Sequence, residues 1–592
     1  MENENTVKTK RQLVLFFGAL AFVVLYGLSW LKWGDLYVDT FRDQYIISRV
    51  LQGSVLYMDV AYLYGFLPIT FLIKANLFFG NSLFVTIFAC SCSAVCSTIF
   101  FYRICRFAFG RSISFFSTLL FISAFIFNSA NTLLSYILPY SSASIFFIMF
   151  ILMMLWSSGN ILKKQKNIYT YISVATLSLA GFCRLDMWVL VICAMFFFGA
   201  FYFHKTKNAI FIKNVFKTVT IVCLGYLCFL LATGALRDFV GDFLNNISLQ
   251  QSGSGKHYEQ NILGLSAAGF YLKYSFLFFG IQVFMSFLCG FCAKKIRSAK
   301  TVVQKSLIVL LFFACLGFVG LYFWTRIRSY FLGIICILVC SGVCWVYKIA
   351  QKKKMVILDY FSFLIFLVSS FLWIRIGLRP VLTSYFFYLG VPSLFLFFIF
   401  LIKKIPEKMF AKELLQTKQY KGFVCIYLLL LSVLFAFMNY SFYSPKQVEI
   451  VSKRGSVKSY KTVRTAVFSD IVNYLNSKTP KDASVLVLPE GYGMYFFSDR
   501  VNNLKDHCFL PLLVSAKGQE NIINEIKENN VDYIVLVYGR DSSGYGASFW
   551  GVEYAQKIDL WIHDNYVSKT YFGLDKNDKS EVGAEIFQKI KN

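Results

Sequence analysis

Four aspartates occur close together near the start of a chain that has few acidic residues. Asp35, Asp39 and Asp43 recur every four residues, and Asp59 follows Tyr57-Met58. Carboxylates at a spacing of four share one face of a helix. A positioned carboxylate can accept the proton of a hydroxyl group, which is a weak nucleophile near neutral pH. The segment therefore predicts general-base chemistry; the alternative is a solvated loop whose acids only balance Arg42 and Arg49.

The elements that must position these acids are also visible in the sequence. Residues 40–52 predict an amphipathic helix with Phe41, Tyr45 and Val50 on its apolar face. A helix of this kind can lie flat in the membrane interface. Gly53 suits its C-terminal cap, and Tyr64-Gly65 leads on to Pro68.

The rest of the composition predicts a membrane protein. Of the 592 residues, 57% are hydrophobic and only 15% are charged, against about 25% in soluble proteins. The mean hydropathy is +0.60. Apolar runs long enough to span a bilayer fall near residues 13–31, 82–102, 113–130, 136–156, 169–183, 187–203, 216–236, 266–291, 306–325, 329–347, 356–374, 381–402 and 422–439.

The distribution of positive charge predicts the topology. The net charge is +28, and Lys and Arg concentrate in alternate short loops. This is the pattern of the positive-inside rule, whereas a nucleic-acid binder gathers its charge on one soluble face. We expect a polytopic α-helical protein with about 13 spans, an inside N-terminus and no nucleic-acid partner. The separation of the fifth and sixth runs at Cys183-Arg184-Leu185-Asp186 decides the side of every later loop.

The last part of the chain predicts a separate α/β domain. Residues 1–439 form the membrane domain with a first outer loop at 32–81, and an odd span count places residues 440–592 outside. We predict helices at 462–477, 518–529 and 551–566 and strands at 483–490 and 531–539. Alternating strands and helices indicate a small layered domain.

Two segments carry a family resemblance. The first loop carries Asp39 beyond the first span, followed by Gly53, Tyr57-Met58-Asp59 and residues 64–68. In these residues it resembles the first loop of GT-C-class glycosyltransferases, in particular the protein O-mannosyltransferase-like and bacterial lipid A aminoarabinose transferase group. In that group tyrosine-glycine is followed directly by proline, whereas Pro68 here stands two residues further on. Residues 488–500, 531–540 and 549–566 are similar to the outer domain of many bacterial members.

The resemblance implies a reaction and its participants. A sugar passes from a polyprenyl-phosphate-linked donor to an extracytoplasmic acceptor, with inversion at the sugar and with the first-loop aspartate as general base. Asp39 matches that aspartate, Asp35 is the competing register, and Asp43 and Asp59 are supporting acids. Tyr64 stands where a metal-binding acid is expected in some aminoarabinose transferases. No cofactor or metal site is therefore expected, although the sequence leaves a divalent metal open.

Other outer residues are candidates for contact with the two substrates. A lipid phosphate leaving group needs positive charge, and five outer arginines are candidates to supply it: Arg184, Arg326, Arg328, Arg375 and Arg379. Arg326 and Arg328, which flank a span boundary, are the favoured pair; the alternative role of these arginines is anchoring at the membrane interface. Residues 252–261 predict a flexible Gly/Ser-rich loop carrying Lys256, His257 and Glu259. Glu490 and Arg500 of the tail are candidates for acceptor contact, with ion pairing inside the domain as the alternative.

The predicted location is the cytoplasmic membrane of a bacterium, with membrane lipids as further partners. Two other functions remain open at this stage. Surface polysaccharide polymerases and ligases also have many spans, but they usually lack a terminal α/β domain. Transporters show paired repeats and broken helices in both halves, and neither feature is apparent here.

Overall fold

The computed structural model describes residues 4–128, 135–326, 333–351, 355–379, 387–539, 543–575 and 582–590. Its first part is almost entirely helical, and its strands lie in the tail. Each of the thirteen predicted apolar runs overlaps a helix. The helices of the first part are α1 (Glu4–Leu28), α2 (Arg42–Leu51), α3 (Phe66–Phe79), α4 (Leu83–Ala108), α5 (Arg111–Phe121), α6 (Ser142–Lys164), α7 (Asn167–Cys183), α8 (Leu185–Thr206), α9 (Ile210–Thr233), α10 (Leu236–Gln251), α11 (Gly253–Ile262), α12 (Ala268–Ser298), α13 (Val302–Arg326), α14 (Ile334–Ala350), α15 (Ile357–Ile376), α16 (Val391–Ile399), α17 (Ile405–Met409), α18 (Lys412–Leu415) and α19 (Lys418–Tyr443).

The lengths of these helices suit a bilayer. Within the described residues, nine helical segments are long and apolar enough to cross a membrane, and four shorter apolar helices accompany them. A span needs about 20 apolar residues. The chain is therefore an integral multi-pass membrane protein, and the count of thirteen crossings stays a prediction.

The division at Cys183–Asp186 is present. Arg184 has an extended backbone, with φ −147° and ψ 94°, between α7 and α8. The indole nitrogen of Trp188 donates to the carbonyl of Leu177 at 2.9 Å. Residues eleven apart along one continuous helix are about 16 Å apart. The two helices therefore form a hairpin.

Five helices in the described residues of the first part were not predicted: α3, α10, α11 and the short helices α17 and α18. Helix α3 lies inside the expected first outer loop, and it begins and ends on the side of the tail. Just before it, the Gly65 amide donates to the carbonyl of Cys183; just after it, the Leu83 amide donates to Arg454 of the tail at 2.8 Å. With 14 residues it is too short to cross a bilayer. Helices α10 and α11 follow α9 on the same side.

The described residues of the tail form six strands and five helices. They are β1 (Lys446–Ser452), β2 (Gly455–Tyr460), α20 (Val463–Lys478), β3 (Val485–Leu488), α21 (Tyr492–Ser498), α22 (Pro511–Lys517), α23 (Gln519–Glu528), β4 (Tyr533–Tyr538), α24 (Gln556–Asn565), β5 (Tyr566–Gly573) and β6 (Gly583–Lys589). The five predicted elements match α20, α23, α24, β3 and β4. The hairpin β1–β2, the strands β5 and β6, and the helices α21 and α22 were not predicted.

The tail is layered around one mixed sheet. The strand order is β3-β4-β6-β5. Strands β3 and β4 are parallel, and β6 runs antiparallel to both β4 and β5. Every residue of β3 and β4 is buried, which explains why their sequences read as continuous apolar runs.

The tail packs directly on the first loop and shares its hydrophobic core. The ring of Phe41 stacks on Phe496 at 5.3 Å, and Tyr37 meets Phe468 edge-on at 5.4 Å. At Gly493 a Cβ atom would lie 2.0 Å from the carbonyl oxygen of Leu36. Only glycine permits this approach, so α21 is held against the turn that precedes Asp39.

Candidate functional site

A hydrogen-bonded turn positions Asp39. The carboxylate of Asp35 accepts from the amides of Tyr37 and Val38 at 2.9 and 3.2 Å. It also lies 3.5 Å from Arg464 of α20. Asp35 is therefore committed to holding the turn. Asp39 follows with a positive φ of 20°, a backbone conformation that is uncommon outside glycine and that is enriched at functional sites.

Asp39 is paired with a buried arginine. Its Oδ1 lies 2.8 Å from Nη1 of Arg42, and its side chain remains 21% exposed. Burial is the largest influence on Asp39 and raises the pKa of its carboxyl group, and the charges of Asp43 and Asp35 act in the same direction. Arg42 opposes them. The group is thus more basic than an ordinary aspartate, yet still reachable from outside.

Arg42 is fixed by several partners. Its Nη2 donates to the hydroxyl of Tyr64 at 3.2 Å and to the carbonyl of Tyr140 at 2.9 Å. Its guanidinium lies 4.9 Å from the centre of the Tyr64 ring. Burial raises the pKa of the Tyr64 hydroxyl to about 12, so this residue is neutral at pH 7. Arg42 therefore holds Asp39 in one place.

The other two first-loop acids have structural partners. Asp43 is buried, and its Oδ2 accepts from the amide and the hydroxyl of Ser142 at 2.9 and 2.6 Å. It sits at the N-terminus of α6, where a negative charge is favourable. Asp59 accepts from the amide of Val55 at 2.7 Å and closes a turn. Asp35 also has a cationic partner and is 29% exposed, but its carboxylate is already held by two backbone amides. Asp39 is therefore the better candidate for a base.

Tyr64 links this pair to the α7–α8 turn. The Gly65 amide donates to the carbonyl of Cys183 at 2.9 Å, and a Cβ atom at Gly65 would lie 2.1 Å from the carbonyl oxygen of Phe182. This close approach places Arg184 4.6 Å from the centre of the Tyr64 ring, on which Arg42 also stacks.

Arg184 is buried in a polar cluster. It forms an ion pair with Asp186 at 2.7 Å and donates to the hydroxyl of Ser144 at 2.7 Å. The hydroxyl of Tyr388, which comes just before α16, is 3.4 Å from the same guanidinium, and it is hydrogen-bonded to the hydroxyl of Tyr140. Residues from α6, the α7–α8 turn and the segment before α16 therefore meet in this cluster.

Arg375 and Arg379 both contact α11. Arg375 contacts both carboxylate oxygens of Glu259 at 2.7 Å. Arg379 donates to the carbonyl of Asn261 at 3.2 Å. Arg328 lies outside the described residues, and only the backbone of Arg326 is described. The structure thus brings Arg184 to the Asp39 cluster and holds Arg375 and Arg379 against α11.

The segment expected to be a flexible loop is a helix. Residues 253–262 form α11, and the hydroxyl of Ser252 caps it by accepting from the amide of Gly255 at 3.0 Å. The Ser and Gly residues that suggested flexibility instead form the cap and a tight turn. Tyr258 stacks face to face on Tyr545 of the tail at 4.4 Å, and His257 borders Gly546. Lys256 is exposed.

The tail contributes a wall of the site. Glu490 is buried, and its Oε2 lies 3.5 Å from the thiol of Cys508. Burial raises the pKa of that thiol, and the charges of Glu490 and Asp39 add to the effect. Burial lowers the pKa of His507 to about 4. Its ring is therefore neutral at pH 7 and packs 5.3 Å from the rings of Tyr45 and Tyr492.

Arg500 lies within the tail itself. It donates to the carbonyls of Ser498 and Leu475 at 3.0 Å and to that of Thr479 at 3.3 Å. These bonds satisfy carbonyls at the ends of α20 and α21 and give the arginine a structural role. Among the described residues, no group of three or more His, Cys, Asp or Glu side chains is arranged to hold a metal ion.

Sequence reasoning missed most of the residues that surround Asp39. Arg42 had a usable signal, because it stands three residues after Asp39 and such pairs meet on a helix surface. Tyr140, Tyr388, Tyr258 and Tyr545 had none, since each comes from an element remote in sequence and is brought in by packing alone.

Comparisons with known proteins support the same fold. No family model matches the chain, and no curated protein matches it. The archaeal oligosaccharyltransferase AglB from Archaeoglobus fulgidus, solved with an inhibitory peptide and a dolichol-phosphate, has a TM-score of 0.51 at 10% identity; the match covers 95% of this chain and 73% of AglB. ArnT from Cupriavidus metallidurans, solved with undecaprenyl phosphate, has a TM-score of 0.50 at 12% identity, over 97% of this chain and 98% of ArnT.

At sequence identities this low, the structural match establishes the fold but does not transfer the roles of individual residues. The resemblance inferred from the first loop and the tail is confirmed at that level: this chain has the GT-C-like fold of these membrane glycosyltransferases.

Proposed function

We propose that this protein transfers a sugar from a polyprenyl-phosphate carrier to a hydroxyl group of an extracytoplasmic acceptor, at the outer face of the cytoplasmic membrane. The observation that carries the proposal is the Asp39–Arg42 pair, with a partly exposed carboxylate at the end of the first span. The fold adds support, because both matched proteins were solved with a polyprenyl phosphate, dolichol-phosphate in AglB and undecaprenyl phosphate in ArnT.

Asp39 acts as the general base. Its carboxylate accepts the proton of the acceptor hydroxyl while the oxygen forms a bond to the anomeric carbon. On the opposite face of the sugar, the bond from that carbon to the phosphate oxygen breaks, and the electron pair leaves with the lipid phosphate. Attack and departure on opposite faces invert the configuration. The raised pKa of Asp39 suits this role, because a more basic carboxylate is a better proton acceptor.

Positive charge stabilises the departing phosphate. Arg184 is our first choice, because it stacks on the same tyrosine as Arg42 and so lies beside the reacting groups. Arg375 is the second, because 26% of its side chain is exposed and its partner Glu259 can give way to a phosphate. Guanidinium groups bind phosphate oxygens with two parallel hydrogen bonds, which a lysine reproduces only in part.

Glu490 contacts the acceptor. Burial is the main cause of the raised pKa of Cys508, Tyr492 and Tyr545, and the charges of Glu490 and Asp39 add to it at all three groups. The two acids, from different domains, therefore lie near the same side chains. A carboxylate accepts hydrogen bonds from sugar hydroxyls. In this arrangement the tail supplies the acceptor side of the site and the first loop supplies the base.

The direct experiment uses the full chain in lipid nanodiscs. Polyprenyl-phosphate-linked sugars with a radiolabelled sugar are offered together with lipid and glycan acceptors from a bacterial envelope. We expect label to move to an acceptor that carries free hydroxyl groups, with inverted configuration at the anomeric carbon. Retained configuration would contradict the mechanism, and transfer from a soluble nucleotide-sugar in place of the lipid-linked donor would contradict the proposed function.

A further inference from the structure

Helix α10 carries an apolar stripe that no part of the described chain covers. Its members recur at helical spacing, and between 36% and 58% of each is exposed: Leu236, Val240, Phe243, Leu244 and Ile247. At 100° per residue these five positions fall within about 100° of the helix circumference. A stripe of this width is what a helix presents to an apolar surface.

The opposite side of α10 is held by protein contacts. Lys505 of the tail lies 3.0 Å from Asp242 and 3.6 Å from Asp238. On the flank of the stripe, about 90° from its centre, Phe239 packs against Tyr57 of the first loop at 5.1 Å. These contacts fix the rotation of the helix about its axis, so the apolar stripe faces away from the tail.

The position of the helix identifies what covers the stripe. Two residues separate α10 from the end of the span α9, and Gly234 makes the turn with φ +71°. On α9, Leu224, Leu227 and Leu231 are exposed and lie on one face, as expected of a span surrounded by lipid. An exposed apolar stripe that begins so close to the end of a span lies at the depth of the membrane surface. Its occupant is therefore lipid rather than a protein partner.

We infer that α10 is an interfacial helix whose apolar stripe is immersed in the lipid leaflet on the tail side, while its acidic face holds the tail through Lys505. A helix with one apolar and one polar face binds at the boundary between headgroups and acyl chains. The tail is thereby anchored to the membrane surface at a second place besides α19. The inference is independent of the proposed reaction, since it concerns only where the helix lies.

The test measures the lipid exposure of the stripe in the full chain. Phe243 is replaced by trifluoromethyl-phenylalanine, and the protein is placed in nanodiscs of phosphatidylethanolamine and phosphatidylglycerol. Fluorine line broadening is then measured with spin-labelled lipid and with a water-soluble gadolinium chelate. The matched control carries the same label at Asn245, which is exposed on the other side of α10.

We expect spin-labelled lipid to broaden the signal at position 243 severalfold more than the soluble chelate does, and the reverse order at position 245. Stronger broadening of position 243 by the chelate would place the stripe in water and overturn the inference. Protection of position 243 from both probes would place it against protein, in a second copy or a partner, and would overturn it as well.

Discussion

At the residue scale, Arg42 limits the increase in the proton affinity of Asp39. Its positive charge opposes the increase in pKa that burial and the other acids cause. Asp39 must be deprotonated to act as a base, so activity is lost as pH falls through its pKa. We predict that Arg42→Gln moves the acidic limb of the pH–rate profile to higher pH, because the pKa of Asp39 then rises further.

The control for this shift removes an equivalent charge elsewhere. Lys569 is exposed on the edge strand β5, and Lys569→Gln should leave the acidic limb in place. If the acidic limb of the pH–rate profile does not shift in Arg42→Gln, Arg42 does not act on the titrating group.

A second prediction at this scale concerns the lipid phosphate. Arg375→Ala should weaken donor binding by about 10-fold to 100-fold, the range expected when one charge-assisted hydrogen bond is lost. Arg375→Lys should recover part of the affinity. The measurement is binding of a polyprenyl-phosphate-linked sugar in nanodiscs.

Glu259→Gln discriminates between the two roles of Arg375. If the arginine binds phosphate, loss of the competing carboxylate should leave donor affinity equal or higher. If the Arg375–Glu259 pair only holds α11 in place, both variants should lose affinity to a similar extent, and the phosphate role would then be rejected.

At the element scale, Gly65 joins the first loop to the α7–α8 turn. A Cβ atom there would lie 2.1 Å from a backbone oxygen, and backbone gives way only at a cost of about 1–3 kcal/mol. Gly65→Ala should therefore lower the unfolding temperature in detergent and reduce transfer by displacing Tyr64. Gly110→Ala is the matched control, because a Cβ atom there meets nothing within 4 Å. Equal stability of the two variants would contradict the contact.

The elements that the sequence predicted are those with a strong local pattern. The apolar runs and the buried strands β3 and β4 are continuous in sequence, and the Cys183–Asp186 break is marked by charge. Helix α3 was missed because it has only 14 residues. Helices α10 and α11 were missed because their polar residues resemble those of a loop. Contacts with the tail hold them in place, through Lys505 for α10 and Tyr545 for α11.

In the candidate site, too, the residues with a local sequence signal were predicted and those that depend on tertiary contacts were not. Asp39 could be selected from spacing and position, but its separation from Asp35 and Asp43 required the structure, since only tertiary contacts reveal that those two acids are committed to a turn and to a helix N-terminus. The arginine choice changed for the same reason. Arg184 was one of five candidates, and packing against Tyr64 distinguishes it.

At the scale of the whole molecule, the proposed reaction requires the tail to lie on the outer side of the membrane. The tail, the first loop, the α7–α8 turn and α10 lie together on one side. The alternating basic loops predict that this side is outside. A reporter that is active only in the cytoplasm, fused after Asn592, should therefore be silent, whereas a fusion in the basic loop near Lys300 should be active. Activity at the C-terminus would reverse the topology.

The proposed mechanism requires Asp39 to accept the proton of the acceptor hydroxyl. The most direct measurement is single-turnover transfer from pre-bound donor in nanodiscs, which separates chemistry from binding. Asp39→Asn keeps the shape of the side chain and removes its basicity, so the transfer rate should fall about 100-fold to 10,000-fold while donor affinity is retained. Asp59→Asn is the matched control from the same loop, because an amide oxygen can still accept from Val55, and Asp35→Asn tests the competing register. Near-normal turnover in Asp39→Asn, with or without a loss in Asp35→Asn, would contradict the account.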